Sequence, residues 1–179
     1  MGKNIVVLSG SPRKDGNTDK LVDAFIKGAE SVGKNVSLFR VADMKIGGCL
    51  GCGNCFTEKG TCVQKDDMIP ILDALQKADT FVLASPVYFF GVTAQLKLAI
   101  DRTYALLRVD RPIEKMALLL TCGSQNVRVA VGAITMYHNM CSFSKWEDAG
   151  VILATKLHAK DAIGERSELE DAAALGREI

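Results

Sequence analysis

The run Asn4-Ile5-Val6-Val7-Leu8-Ser9-Gly10-Ser11-Pro12-Arg13-Lys14-Asp15-Gly16-Asn17-Thr18 decides how the rest of the chain is read. Ile5, Val6, Val7 and Leu8 form a short continuous apolar run, as in a strand buried on both faces. Small, polar and turn-forming residues follow, and then Leu21, Val22, Phe25, Ile26 and Ala29 recur at helical spacing. Small residues let backbone N–H groups approach an anion, hydroxyls and the Asn17 amide add donors, and a helix N-terminus adds its dipole. The stretch therefore predicts a phosphate cradle touched by Ser9, Ser11, Arg13, Gly16, Asn17 and Thr18. The alternative is that Asn17 or Thr18 caps the helix, the glycines turn the chain and Arg13 is solvated.

Outward from this run the same alternation repeats. Apolar runs at 36–39, 81–84, 117–120 and 151–154 are spaced by helical patterns. These patterns are Met68 to Leu75 behind Asp66-Asp67, then Leu96, Ala99, Ile100 and Thr103, then Val127, Ala130, Ile134 and Tyr137. A last helix fits 167–178. Five strands with intervening helices predict an α/β fold, a three-layer doubly wound sheet of five parallel strands, whose ligands sit beyond the carboxyl ends of the strands. Residues 1–179 read as a single domain carrying a cysteine-rich insertion at about 47–65.

The chain has 22 Lys and Arg against 21 Asp and Glu, a formal net charge of +1. No basic stripe is present, which argues against nucleic acid. The first apolar run is too short for a signal peptide or a membrane span, and Val6 stands where a myristoylation site needs Ser or Thr. The mature chain is expected to start at Met1 and to be cytoplasmic. At this length a compact fold buries roughly 70% of the unfolded surface, so the six cysteines are not required as staples.

Three phosphate-binding rivals fail on the letters of the first loop. Lys14 precedes Gly16 where a nucleoside-triphosphatase loop needs Gly-Lys-Ser/Thr, a Gly-x-Gly-x-x-Gly turn is missing, and there is no cysteine nucleophile. A receiver domain is excluded by Ser85, which stands where an acidic residue would end the third strand. A monophosphate held without chemistry on it remains. After the third strand, Ser85-Pro86-Val87-Tyr88-Phe89-Phe90-Gly91 places three aromatics where a planar ring would bind; the alternative is that Phe89 and Phe90 fold into the core. Thr121-Cys122-Gly123-Ser124-Gln125-Asn126 offers another small polar loop after the fourth.

At this point the sequence resembles the flavodoxin-like NAD(P)H-dependent FMN reductases, and among them the iron-sulfur flavoproteins. The resemblance rests on Ser9-Gly10-Ser11-Pro12-Arg13 with Gly16-Asn17-Thr18, on Asp66-Asp67-Met68, on Ser85-Pro86-Val87-Tyr88-Phe89, and on Leu96-Lys97 with Asp101-Arg102. It implies strand order 2-1-3-4-5 and an FMN whose phosphate lies in the first loop. The ring would be lined by Pro86, Val87, Tyr88, Phe89, Phe90 and Gly91, with Thr121, Gly123 and Ser124 as a further wall. It also implies a hydride from NADH or NADPH passed to a flavin, quinone or other small acceptor. Homodimers or homotetramers are common in the family, with Tyr88 to Gly91 and the helix from Thr93 as candidate interface. The rival implication is an electron carrier that exchanges with ferredoxin and never binds nicotinamide. Near-neutral charge, unlike that of the acidic flavodoxin carriers, favours the oxidoreductase.

Cys49, Cys52, Cys55 and Cys62 are spaced Cys-x2-Cys-x2-Cys-x6-Cys, with Gly47, Gly48, Gly51 and Gly53 letting the backbone wrap a small object. This spacing matches the 4Fe–4S motif of the iron-sulfur flavoproteins. Structural zinc and a metal-free thiol loop remain as alternatives, as does a metal-binding regulatory module. Cys122, Cys141 and Trp146 read as packing, and His138 and His158 as non-catalytic.

Overall fold

Continuous apolar runs alternating with amphipathic spacing fold into five consecutive β–α units in the computed structural model, which describes residues 3–58, 60–109 and 113–179. Met1 and Gly2, read above for an N-terminal signal, and Lys59 of the insertion lie outside the described residues. In chain order the elements are β1 (Asn4–Ser9), α1 (Asn17–Glu30), β2 (Asn35–Arg40), α2 (Met68–Leu75) and β3 (Thr80–Pro86). They continue with α3 (Ala94–Arg102), β4 (Lys115–Thr121), α4 (Val131–Ser144), β5 (Glu147–Ala154) and α5 (Ser167–Glu178). All neighbouring strands pair in parallel, in the order β2-β1-β3-β4-β5.

Side chains alternate across the sheet because successive Cβ atoms point to opposite faces. Val6, Leu8, Phe81, Leu83, Leu118 and Leu120 pack beneath α2, α3 and α4, whereas Ile5, Val7, Val82, Ala84, Ala117 and Leu119 pack beneath α1 and α5. Each large side chain so buried is worth roughly 1.5–3 kcal/mol. Burial on both faces holds for β1, β3 and β4; the edge strands β2 and β5 are only partly covered. Two glycines bring α1 and α5 together: a Cβ on Gly28 would stand 2.0 Å from the Ala173 carbonyl oxygen, and one on Gly176 would stand 2.2 Å from that of Phe25.

Three local expectations shift. Val127 and Ala130 form a 3₁₀ turn ahead of α4, and Thr103 opens another after α3. The fifth strand begins at Glu147, four residues before its apolar run. Its register against β4 breaks at Met116/Ala117, where the Tyr137 hydroxyl donates to the Met116 carbonyl at 2.7 Å.

Candidate functional site

The switch in strand order falls between β1 and β3, and the loops leaving their carboxyl ends part there. Gly10 seats the first loop: its N–H donates to Ala84 O at 2.9 Å and its carbonyl accepts from Thr93 Oγ1 at 2.8 Å. A Cβ on Gly10 would stand 2.4 Å from that Oγ1, so only glycine fits. Further along, the Arg13 N–H donates to Ser11 Oγ at 3.3 Å. Gly16 is the N-cap of α1 with no side-chain cap, which leaves the first-turn N–H groups free to face an anion. Neither Asn17 nor Thr18 is the capping residue. Asn17 instead spans to the loop after β5, donating to Ala159 O at 2.7 Å and accepting from Ile163 N at 3.0 Å, while Thr18 Oγ1 lies 2.7 Å from Thr121 Oγ1.

These residues open onto a cavity of about 210 Å³ lined by Ser11, Arg13, Gly16, Asn17 and Thr18 on one side and by Pro86, Val87, Tyr88, Thr121 and Gly123 on the other. Cys122, Leu157, His158 and Lys160 complete the wall. Arg13, Lys160 and the α1 dipole bring positive charge, and no carboxylate is among the described lining residues, so the cavity favours an anion. Val87, Cys122 and Gly123 also line an adjoining hollow whose other walls include Phe89, Phe90 and Ser124. The cleft thus runs from a cationic end rich in N–H groups to an aromatic shelf.

The shelf is a tight turn in which Tyr88 N donates to Gly91 O at 2.9 Å and Gly91 N to Tyr88 O at 3.1 Å. Both central residues are left-handed, Phe89 at φ 45° and Phe90 at φ 70°, positions that favour Asn or Gly. Phe89 is 97% exposed and Phe90 59%, so neither enters the core. Holding two non-glycine residues in this conformation stores strain that the surrounding structure must offset. The turn rests on α4, since a Cβ on Gly132 would stand 2.4 Å from the Phe90 carbonyl oxygen.

Two expected contacts fall outside the cleft. Ser9 is 1% exposed, its Oγ has no partner, and it lines a separate hollow with Asp19, Asp23 and Arg40; Gly91 closes the aromatic turn without lining either cavity. Conversely, Cys122 is a cleft wall as well as a buried thiol whose ionisation burial pushes up. Leu157, His158 and Lys160 come from the loop after β5, where the carboxyl-end rule applies equally but no Ser/Gly/Asn signature marks the sequence. His138 lies away from the cleft, 3.4 Å from Asp148.

The cysteine loop follows β2. Left-handed Gly51 (φ 62°) and Gly53 (φ 74°) curl it so that Cys49, Cys52, Cys55 and Cys62 line one hollow of about 130 Å³, with Phe56 stacked edge-on against Tyr104 at its rim. All six cysteines are free thiols. Among the described residues no three Cys, His, Asp or Glu side chains are gathered closely enough to hold one metal ion, and the four loop cysteines border the same hollow. At its base Asp66 accepts from Gly47 N at 2.9 Å and grips Arg102 through both carboxylate oxygens, at 2.8 and 2.9 Å. The Arg102 guanidinium, with the Gly47 and Met68 N–H groups, holds the Asp66 carboxyl down at about 2.

A 2-1-3-4-5 parallel sheet with an anion-favouring cleft at its switch point, extended by an aromatic shelf, defines the flavodoxin-like class of mononucleotide-binding α/β proteins. The family model for NADPH-dependent FMN reductase matches residues 3–146, and the chain belongs to that family. Within it the chain stands near the iron-sulfur flavoproteins. One from Archaeoglobus fulgidus is 46% identical over 97 residues, 54% of this chain and 44% of that protein. One from Methanosarcina thermophila is 33% identical over 124 residues, 68% of this chain and 64% of that protein. The chain spans about half the length of the first of these relatives. Among solved structures, an NAD(P)H:quinone oxidoreductase from Methanothermobacter marburgensis superposes with TM-score 0.80 at 15% identity, covering 99% of this chain and 96% of the other, which shows the shared fold.

Proposed function

We propose that the chain is an FMN-dependent oxidoreductase that takes electrons from NADH or NADPH and delivers them to a quinone, a flavin or another small acceptor. The observation that carries this reading is the continuous cleft, cationic at the α1 N-terminus and aromatic at the Tyr88 to Gly91 turn, which matches a molecule with a phosphate at one end and a flat ring at the other. Ser11, Arg13, Gly16, Thr18 and Lys160 hold the phosphate. Val87, Tyr88, Cys122, Gly123 and Ser124 border the ring, and Phe89 and Phe90 form its outer rim. Bound FMN supplies the hydride acceptor. The protein's part is then to orient two flat molecules and exclude water, so the reading requires no general base.

We further propose that Cys49, Cys52, Cys55 and Cys62 hold a 4Fe–4S cluster. Four cysteines spaced Cys-x2-Cys-x2-Cys-x6-Cys that border one hollow suit a cluster in which each sulfur meets a different iron. The cluster would supply one-electron transfer. The free thiols fit the cytoplasm, and the exposed aromatic turn with the outer side of α3 fits the face of a homodimer or homotetramer. Among the described residues no helix is long and apolar enough to cross a membrane.

The test is anaerobic purification, a visible spectrum, counts of FMN, iron, sulfide and zinc per chain, and steady-state oxidation of NADH and NADPH. FMN with matched iron and sulfide and nicotinamide turnover is expected. Reduction by ferredoxin with no turnover on either nicotinamide would make the chain an electron carrier, and a colourless protein would overturn the FMN reading.

A further inference from the structure

Arg102 ends α3, and its side chain is 1% exposed. Among the described residues lining the cysteine hollow it is the one cation. Its two terminal nitrogens are occupied: Nη1 donates to Asp66 Oδ2 at 2.8 Å and to the Gly47 carbonyl at 3.0 Å, and Nη2 donates to Asp66 Oδ1 at 2.9 Å. Gly47 opens the loop and Asp66 closes it, so one guanidinium clasps both ends. The remaining donor, Nε, is buried without a hydrogen-bond partner, and Cys62 is the loop thiol that interacts with the guanidinium. A buried N–H with nothing to bond favours an acceptor, and although the Asp66 carboxylate balances the formal charge of the guanidinium, the unused N–H keeps the partial positive charge of a donor.

We propose that Arg102 is the positioning residue of the cysteine site: it holds the loop closed at its base and brings a guanidinium with one unused N–H to the hollow that Cys62 shares, to stabilise a cluster ligated there. This rests on the cluster reading above. Four thiolates make such a cluster an anion, and each added electron makes it more negative. A guanidinium donor at the hollow therefore favours the reduced form and raises the potential. Arg102 lines neither cavity of the FMN cleft, so flavin content reports on folding independently.

The experiment compares wild-type protein, Arg102→Gln and Arg102→Lys, each purified anaerobically and reconstituted with iron and sulfide. The readouts are iron and FMN per chain, the rate of iron loss to a chelator, and the cluster midpoint potential from a redox titration followed by EPR. Arg102→Gln should keep FMN, lose iron about 10–100-fold faster and show a more negative midpoint. Arg102→Lys retains the charge but not the two-oxygen grip, so it should lose iron faster with a smaller shift in potential. Wild-type iron loss and midpoint in Arg102→Gln would overturn the proposal while the cluster reading stands. A wild-type chain that takes up no iron would overturn both. Should Arg102→Gln fail to retain FMN, Arg102→Lys decides alone: wild-type iron loss there overturns the proposal.

Discussion

Arg13 in the first loop and Asn17 at the start of α1 line the same cleft with different tasks. Arg13 is exposed and lines the cleft as a positive charge, whereas both ends of the Asn17 amide tie the loop after β5, which carries His158 and Lys160 to the cleft. Arg13→Ala is therefore expected to weaken FMN binding about tenfold, the scale of one lost charge-assisted hydrogen bond, with the melting temperature of the apoprotein unchanged. Asn17→Ala should lower both, as read by flavin fluorescence titration and thermal melts. Asp66 makes a prediction about acid. Its folded value near 2 lies below the ordinary 3.8, so the ionised form stabilises the fold fully above about pH 4, and that stability is lost as pH falls toward 2. The contribution is on the order of 2 kcal/mol. Asp66→Asn should narrow the difference between urea midpoints measured at pH 5 and pH 3 to what the other groups contribute.

At the scale of elements, turns and helix ends form the site and the strands place them. The Tyr88 to Gly91 turn carries two phenylalanines in left-handed conformation and is braced through the Phe90 carbonyl against Gly132 in the first turn of α4. Gly132→Ala puts a methyl 2.4 Å from that oxygen, so either the turn or the start of α4 must move. The expected result is a loss of about 1–3 kcal/mol in stability and weaker flavin binding. Unchanged flavin affinity in a folded Gly132→Ala protein would show that the shelf does not touch the ring. The cysteine loop is built the other way: it has little regular structure beyond the 3₁₀ turn Asn54–Phe56, and side-chain bonds at its base hold it.

For the whole molecule, the cleft is assembled from loops after β1, β3, β4 and β5, segments far apart in sequence that parallel pairing brings to one edge. A ligand bridging them favours the folded state by mass action, so FMN at 100 times its Kd should add about 2.7 kcal/mol of stability, visible as a rise in melting temperature. The letters alone determined the five strands, the doubly wound class, three of the four cleft loops and the cysteine ring, because apolar runs, helical spacing and clusters of Gly, Ser, Asn and Cys are local signals. They did not reveal the first half of β5, where Glu147 to Gly150 join the sheet through backbone pairing that leaves no apolar trace. Nor did they reveal that Ser9 turns away from the cleft, that Leu157, His158 and Lys160 line it, or that Arg102 clasps a loop whose ends are 19 residues apart. Those facts depend on which face of a strand meets which helix and on which loops the strand order makes neighbours. Only the tertiary structure decides them, because a side chain's partner across the fold is set by packing and register rather than by its place in the chain.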